Sequence, residues 1–460
     1  MAVWPVPAPH ADRSPPAAGG APLRGALVLL GLGPITILLG TRLHTLGIDP
    51  ILGVYTLLTV VALGFTFFLA FARYRDPSLD APVDPRLPRV SCLVAVKNEI
   101  DVIDRCVGSL LGQSYADCEL FVVDDGSTDG TTERLRELAA TDPRLTLLAN
   151  ETSQGKKRAL TRAAALARGD VFVFTDSDCE LEPDAVQRLI DAFRAHPEIG
   201  ALSGHARALN ADTNLLTRMQ DTWYETSFSV TKAAESVFGG VTCVSGPLAA
   251  FRRETIYNYL PAWSEDTFLG KPFPFATDRQ LTGYVLGARE RGEALKKRFA
   301  DSPFVTSEDH PVKRWDVGYV HSARVTTAVP DTARRLLRQQ IRWKKSFVRN
   351  LFFTGGFYWR RGAGPAFMFY THSLFVAVAP IMVARHLVLA PLSGTMALAT
   401  LYIAGVFLKG SMWAAAYRVH NPGDPRWVYR PLMNVVASLV FSWMLVYSVA
   451  TLHRGVWARG

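Results

Sequence analysis

Cysteine is scarce in this chain of 460 residues: there are five, Cys92, Cys106, Cys118, Cys179 and Cys243, all in its middle part. They have no paired metal-ligand spacing, which argues against a structural zinc site and a disulfide scaffold and suits reduced thiols inside a cell. The N-terminus lacks a short apolar core followed by a small-residue cleavage site, so no cleaved signal peptide is expected. Long apolar runs are missing from the middle as well, which reads as the soluble part between two apolar ends.

From Gly25 to Gly40 and again from Ile51 to Ala72 the chain is nearly free of charge. Two spans are expected, the first a little short for about 30 Å of hydrocarbon. Arg73 and Arg75 close the second run and place the following domain on the cytoplasmic side. Residues 1–24, rich in Pro and Ala, then form a disordered cytoplasmic tail. After Trp359-Arg360-Arg361 come three more apolar stretches, Ala366 to Val388, Thr395 to Ala416 and Leu432 to Leu452, each read as a membrane segment. The basic loop from Tyr417 to Arg430 suits the cytoplasmic face if the first two form a hairpin. A net charge of +9 fits acidic lipid or a phosphorylated substrate, and with membrane segments at both ends no nucleic acid is expected.

The middle domain reads as repeated strand, polar turn and helix. A strand over 89–96 leads to the turn Lys97-Asn98-Glu99 and a helix through Leu111. A second strand, Glu119 to Val123, ends at Asp124-Asp125-Gly126, and a third, Gly169 to Thr175, ends at Asp176-Ser177-Asp178. This cycle marks an open α/β sheet whose ligands sit at the carboxyl ends of the strands. Two carboxylates two residues apart at such an end can approach one hard divalent ion that keeps substrate phosphates in its shell. Gln154-Gly155-Lys156-Lys157-Arg158 opens a helix between the acidic turns, where basic side chains and free N–H groups favour phosphate. Further on, the small and apolar stretch from Cys243 through Ser245-Gly246-Pro247 to Arg252 reads as a binding-site floor, bent by Gly-Pro. Asp278 stands at a helix start, where capping and catalysis are both open.

Past these, Gln339, Arg342 and Trp343 share one helical face. They would present an amide, a guanidinium and an aromatic plane together, either to a phosphorylated sugar or as an anchor at the membrane interface.

In this order, Asp-Asp-Gly, Asp-x-Asp, a lone Asp before a helix and Gln-x-x-Arg-Trp, enclosed by membrane segments, resemble the processive family-two glycosyltransferases. Cys243 to Arg252, Asp278 to Thr282, Val329 to Thr332 and Gln339 to Ser346 are most similar to hyaluronan synthases, as is the closing Gly455 to Arg459. The resemblance implies an α/β cytoplasmic GT-A domain inserted between N-terminal and C-terminal transmembrane helices. Its divisions would be the tail 1–24, two helices in 25–75, the GT-A domain 76–330, interface helices 331–364 and a transmembrane or re-entrant cluster 365–460. It implies a processive inverting β-glycosyltransferase of the cell membrane, using UDP-GlcNAc and UDP-GlcA and exporting the polysaccharide through the bilayer.

By the same resemblance Asp124 or Asp125 would hold the uridine. Asp176 and Asp178 would carry Mg²⁺ or Mn²⁺ on the diphosphate beside Lys156, and Asp278 would be the general base. Gln339 and Arg342 would meet the UDP-sugar, and Trp343, Cys243, Ser245, Gly246 and Pro247 the acceptor. Thr277 stands where hyaluronan synthases usually have a second acid, and Lys97 replaces an aromatic of the first motif. Alternatives are a chitin, N-acetylglucosaminyl or other β-glucan synthase of the same mechanism, and transfer of a single sugar to a lipid phosphate. Three simple C-terminal spans would put Trp457 outside, against the cytoplasmic side implied by the resemblance, so one stretch is expected to be re-entrant or interfacial.

Overall fold

In the computed structural model, which describes Gly40 and residues 49–454, the second apolar run forms α1 (Pro50–Phe68) and a π-turn, Leu69–Arg73. Asp49 caps it, accepting the Leu52 N–H at 3.1 Å, with Pro50 in the first turn where its missing donor costs nothing. The tail expected over 1–24, nearly all of the span expected over 25–40 and the closing 455–459 motif lie outside the described residues.

The soluble part opens with β1 (Val90–Val96), an apolar run buried on both faces, as a strand covered by helices on each side must be. There follow α2 (Ile103–Leu111), β2 (Cys118–Asp124), α3 (Thr131–Thr141), β3 (Leu145–Ala149), α4 (Lys156–Leu166) and β4 (Val171–Asp176). Then come β5 (Cys179–Leu181), α5 (Ala185–Ala195), β6 (Ile199–Ala208), α6 (Leu215–Thr226) and β7 (Ala249–Arg252). A small hairpin of β8 (Thr267–Phe268) and β9 (Lys271–Pro272) precedes α7 (Thr277–Leu286), α8 (Ala288–Arg298) and β10 (Asp316–Thr327).

The large sheet has the order β3-β2-β1-β4-β7-β6-β10-β5. Its first four strands are parallel, β7 runs antiparallel to both neighbours, and β10 pairs parallel with β6 and antiparallel with β5. Register decides where the acids go. Val96 of β1 faces Asp124 and Ala95 faces Asp176, so the two acidic turns leave the sheet at one edge on either side of β1. That edge is the crevice where an open α/β sheet takes ligands.

Among the described residues four helical segments are long and apolar enough to cross a membrane: Pro50–Leu79, Ala363–Leu392, Met396–His420 and Pro425–Ala450. Before the last three runs the amphipathic α9 (Ala333–Phe353), capped by Thr332. Next are α10 (Ala363–Ala384), α11 (Met396–His420), α12 (Arg430–Val436) and, past a π-turn, α13 (Ser442–Ala450). At the end of the helices far from the sheet, the Asp49 carboxylate takes Arg385 and His386, and the His386 ring stacks on Tyr402 at 5.2 Å. One buried acid thus ties α1 to the end of α10 and the start of α11. At the other end Arg207 of β6 meets the Tyr417 hydroxyl at 3.2 Å and Asn421 Oδ1 at 3.1 Å.

The last apolar stretch begins and ends against the soluble domain. Arg426 pairs with Asp221 at 3.2 Å and Arg430 Nε donates to Thr226 Oγ1 at 2.9 Å. Downstream, Ser448 Oγ donates to the Ile341 carbonyl, Lys345 Nζ donates to the Arg454 carbonyl at 2.9 Å, and Leu452 packs with Phe273 and Phe275. Between these ends Phe441 and Met444 lie on Met219 of α6 and Leu336 of α9.

Candidate active site

The Asp-Asp-Gly turn braces the first loop. Asp124 is buried, and its carboxylate accepts the Ser127 N–H at 3.1 Å and hydroxyl at 2.5 Å, and the Thr132 hydroxyl. Asp125 accepts Asn150 Nδ2 at 2.9 Å, the Ser153 hydroxyl at 2.6 Å, and the N–H groups of Gln154 and Gly155 at 2.7 and 2.9 Å. Burial pushes the Asp125 carboxyl up, and these donors outweigh it, holding it below its usual value. Both acids therefore brace the loops at the carboxyl ends of β2 and β3, with their oxygens engaged inside the protein.

At the end of β4 the ligand atoms of Asp176, Asp178 and Cys179 lie within 4.8 Å of one another. Burial, then the neighbouring Asp178 and Asp176 charges, raise the pKa of the Cys179 thiol well above its usual value. Of the three donors, the two carboxylates are of the oxygen type that a hard ion such as Mg²⁺ or Mn²⁺ prefers. Lys156, at the first turn of α4, forms an ion pair with Asp176. Gly246 completes the cradle: a Cβ there would lie 3.0 Å from Asp176 Oδ2. The residues fit the implied metal, with Asp178 and Asp176 to hold it.

The expected binding-site floor joins this carboxylate pair to Asp278. Thr175 Oγ1 donates to the Pro247 carbonyl at 2.7 Å, Ser245 N–H approaches Ser203 Oγ at 3.4 Å, and Gly246 N–H donates to Asp278 Oδ2 at 3.3 Å. Cys243 Sγ donates to the same oxygen at 3.5 Å, its thiol pushed up to about 11 by burial and then by the Asp278 charge. Asp278 is not the cap of α7. Ala276 holds that position with φ +64°, a left-handed residue of the kind found where a site dictates the backbone. The turn sets Asp278 in the first helical turn with Oδ1 on the Arg279 N–H at 2.8 Å.

On α9, Gln339 and Trp343 share a face that meets α6. The Tyr224 hydroxyl lies close to the Gln339 side chain, and burial, then the Asp178 and Asp176 charges, raise its pKa. Trp343 lies 6.2 Å from the Tyr224 ring and 6.0 Å from Trp223, and stays 40% exposed. The half-buried Arg342 precedes Trp343 on the same helix. Trp223 and Tyr224 were not singled out in the sequence, where they look like packing positions of a helix. An aromatic pair next to an acid, Trp223-Tyr224-Glu225, was the available signal.

The basic stretch divides. Lys156 reaches the crevice, Arg158 is exposed, and Lys157 is buried away from any phosphate. Lys157 Nζ donates to Asp266 Oδ2 at 3.1 Å, the Phe273 carbonyl at 3.0 Å and Gln280 Oε1 at 2.6 Å, while Arg349 takes the other Asp266 oxygen at 2.7 Å. The phosphate expectation therefore fails for Lys157, because helical spacing turns it inward to tie α4, α7 and α9 together.

The family model Glycosyl transferase family 2 matches residues 91–260, stopping short of Asp278 and of Gln339 to Trp343. An N-acetylglucosaminyltransferase of Rhizobium meliloti (strain 1021) is 34% identical over 275 residues, 59% of this chain and 58% of that protein. Another, of Neorhizobium galegae, is 31% identical over 314 residues, 67% of this chain and 66% of that protein. The chain thus spans less than two thirds of the length of either. A hyaluronan synthase of Streptococcus pyogenes is 29% identical over 328 residues, 70% of this chain and 71% of that protein. A mannosyltransferase of Pyrobaculum calidifontis, solved in complex with GDP-Man and Mn²⁺, superposes with a TM-score of 0.54 at 22% identity, over 84% of this chain and 98% of its own. With the mixed sheet, this likeness establishes the GT-A fold.

Proposed function

From the premise that this chain carries a glycosyl transferase family 2 domain over residues 91–260, we propose that it is a membrane-embedded, processive, inverting β-glycosyltransferase. It builds a polysaccharide from UDP-GlcNAc and UDP-GlcA, in the manner of a hyaluronan synthase. The observation that carries this reading is Gly246, whose N–H meets Asp278 and where a Cβ would lie 3.0 Å from Asp176 Oδ2, so that base and diphosphate carboxylates share one loop.

Asp278 draws the proton from the acceptor hydroxyl as that oxygen attacks the anomeric carbon. The bond from that carbon to the diphosphate oxygen breaks on the opposite face, UDP departs with the electron pair, and an α-linked donor gives a β-linked product. Lys156 and Arg342 offset the charge developing on the diphosphate. Mg²⁺ or Mn²⁺ held by Asp178 and Asp176 would supply Lewis-acid stabilisation to the same oxygens. Cys243, as a thiol donor, and the Gly246 N–H hold the Asp278 carboxylate in one orientation. Trp343, backed by Trp223 and Tyr224, offers a flat face to the acceptor sugar, which suits sugar C–H groups.

Arg73 and Arg75 favour a cytoplasmic catalytic domain in a multi-pass protein. We read residues 425–454 as an interfacial segment, since both of its ends contact the catalytic domain. A second reading, polymerisation of UDP-GlcNAc alone, is favoured by the relatives named N-acetylglucosaminyltransferase. Incubating the purified full chain with UDP-sugars after chelation by EDTA tests the common mechanism. Transfer is expected to cease and to return with Mn²⁺ or Mg²⁺; transfer that persists in EDTA would overturn the assigned role of Asp176 and Asp178.

A further inference from the structure

Asp266 stands just ahead of the β8–β9 hairpin, its carboxylate buried and each oxygen on a different cation. Oδ2 accepts Lys157 Nζ of α4 at 3.1 Å, and Oδ1 accepts Arg349 Nη2 of α9 at 2.7 Å. The Asp266 carbonyl takes the Phe273 N–H at 2.8 Å across the hairpin, and the Phe273 carbonyl takes Lys157 Nζ at 3.0 Å. The third Lys157 proton goes to Gln280 Oε1 of α7 at 2.6 Å, and Gln280 Nε2 donates to the Tyr284 hydroxyl at 2.6 Å. Lys157, Asp266, Gln280 and Arg349 are all buried. Burial pulls the Lys157 ammonium down to about 8 against the opposing charge of Asp266, and the Asp278 charge acts on it as well.

Each helix that meets here also carries a group of the reaction. Lys156, the ion-pair partner of Asp176, precedes Lys157 on α4. Asp278 stands two residues before Gln280 on α7, and the Gln280 N–H closes the first turn of that helix on the left-handed Ala276 at 3.0 Å. Trp343 stands six residues before Arg349, about 120° round α9. Over so short a span a helix moves as one body, so a shift at Asp266 moves cation, base and aromatic plane relative to one another. Two buried cations on one acid are a poor device for stability alone, because well-packed apolar side chains of the same volume often do as well or better. What the cluster adds is direction, since each of its hydrogen bonds tolerates a narrow range of distance and angle.

We propose that Asp266 is a positioning residue for sugar transfer, aligning Lys156, Asp278 and Trp343 with one another through Lys157 and Arg349. This rests on the roles assigned above to those three residues and names what sets their mutual placement. Donor binding draws on Lys156 and the carboxylates at the end of β4. Transfer needs base and acceptor plane in register with them. Loosening Asp266 therefore harms transfer more than it harms UDP binding or the slow hydrolysis of UDP-sugar, in which water takes the place of the acceptor hydroxyl.

The test uses the purified full chain with Mn²⁺ and UDP-sugar donors, and reads UDP released and sugar incorporated from one incubation. Asp266→Asn is expected to lower incorporation about a hundredfold, the effect of about 1 Å of misplacement, and UDP release by less than about tenfold, with the Kd for UDP within about threefold of wild type. Arg349→Lys keeps the cation without the planar fork and is expected to shift the ratio of incorporation to release about tenfold. An unchanged ratio in Asp266→Asn, however far both quantities fall, would show that the cluster only holds the fold and would overturn this inference alone. Should that variant not purify as a single species, a wild-type ratio from Arg349→Lys would overturn it. A neutral polymer from UDP-GlcNAc alone would overturn the copolymer, and the ratio in that reaction decides the role of Asp266 by the same rule. No sugar transfer by wild type would overturn the proposed function and the inference together.

Discussion

The backbone N–H of Gly246 donates to the Oδ2 of Asp278 across 3.3 Å, and the same glycine leaves 3.0 Å between a would-be Cβ and Asp176 Oδ2. A side chain there has to displace one carboxylate or the other. Gly246→Val is expected to lower kcat about a hundredfold, as a displacement of about 1 Å at reacting groups does, with unfolding temperature little changed. Full transfer activity in the folded variant would show that the loop does not position these acids.

Asp278→Asn keeps the shape and removes the proton acceptor. Transfer is expected to fall by about 10²–10⁴-fold while UDP binding, measured by calorimetry, stays near wild type. Activity retained in this variant would take Asp278 out of the chemistry.

Trp343→Ala removes the exposed plane of the Trp223, Tyr224 and Trp343 cluster. Elongation is expected to fail while slow hydrolysis of UDP-sugar continues, seen as UDP release without polymer. Unchanged product length would return Trp343 to a membrane-anchoring role.

Asp125 gives a pH signature. Its folded pKa lies below the usual value of about 3.9, so its contribution to stability is whole above about pH 4 and is lost as pH falls through the folded value. Asp125→Asn should cost about 1–3 kcal/mol at neutral pH, through donors left facing an amide, and should flatten the acid limb of a stability profile. An unchanged acid limb would mean that Asp125 does not set it.

Sequence showed the acids well because β2 and β4 are continuous apolar runs that stop at a carboxylate, a pattern with a single sense in a parallel sheet. Asp278 was legible too, but its left-handed approach through Ala276 was not, since alanine carries no mark of positive φ. Trp223 and Tyr224 follow ordinary helical spacing, and the fold alone carries α6 against α9. Residues 425–450 have the length and apolarity of a span, a pattern that does not foretell the contacts both ends make with the soluble domain. Lys156 and Lys157 are adjacent and alike, and the helix sends them to opposite fates.

The most direct measurement offers the purified chain, with Mn²⁺ or Mg²⁺, UDP-GlcNAc and UDP-GlcA separately and together, and digests the product. Polymer is expected when both donors are present and should be cleaved by hyaluronidase. Polymer from UDP-GlcNAc alone, cleaved by chitinase, would contradict the copolymer and leave the fold and the base in place.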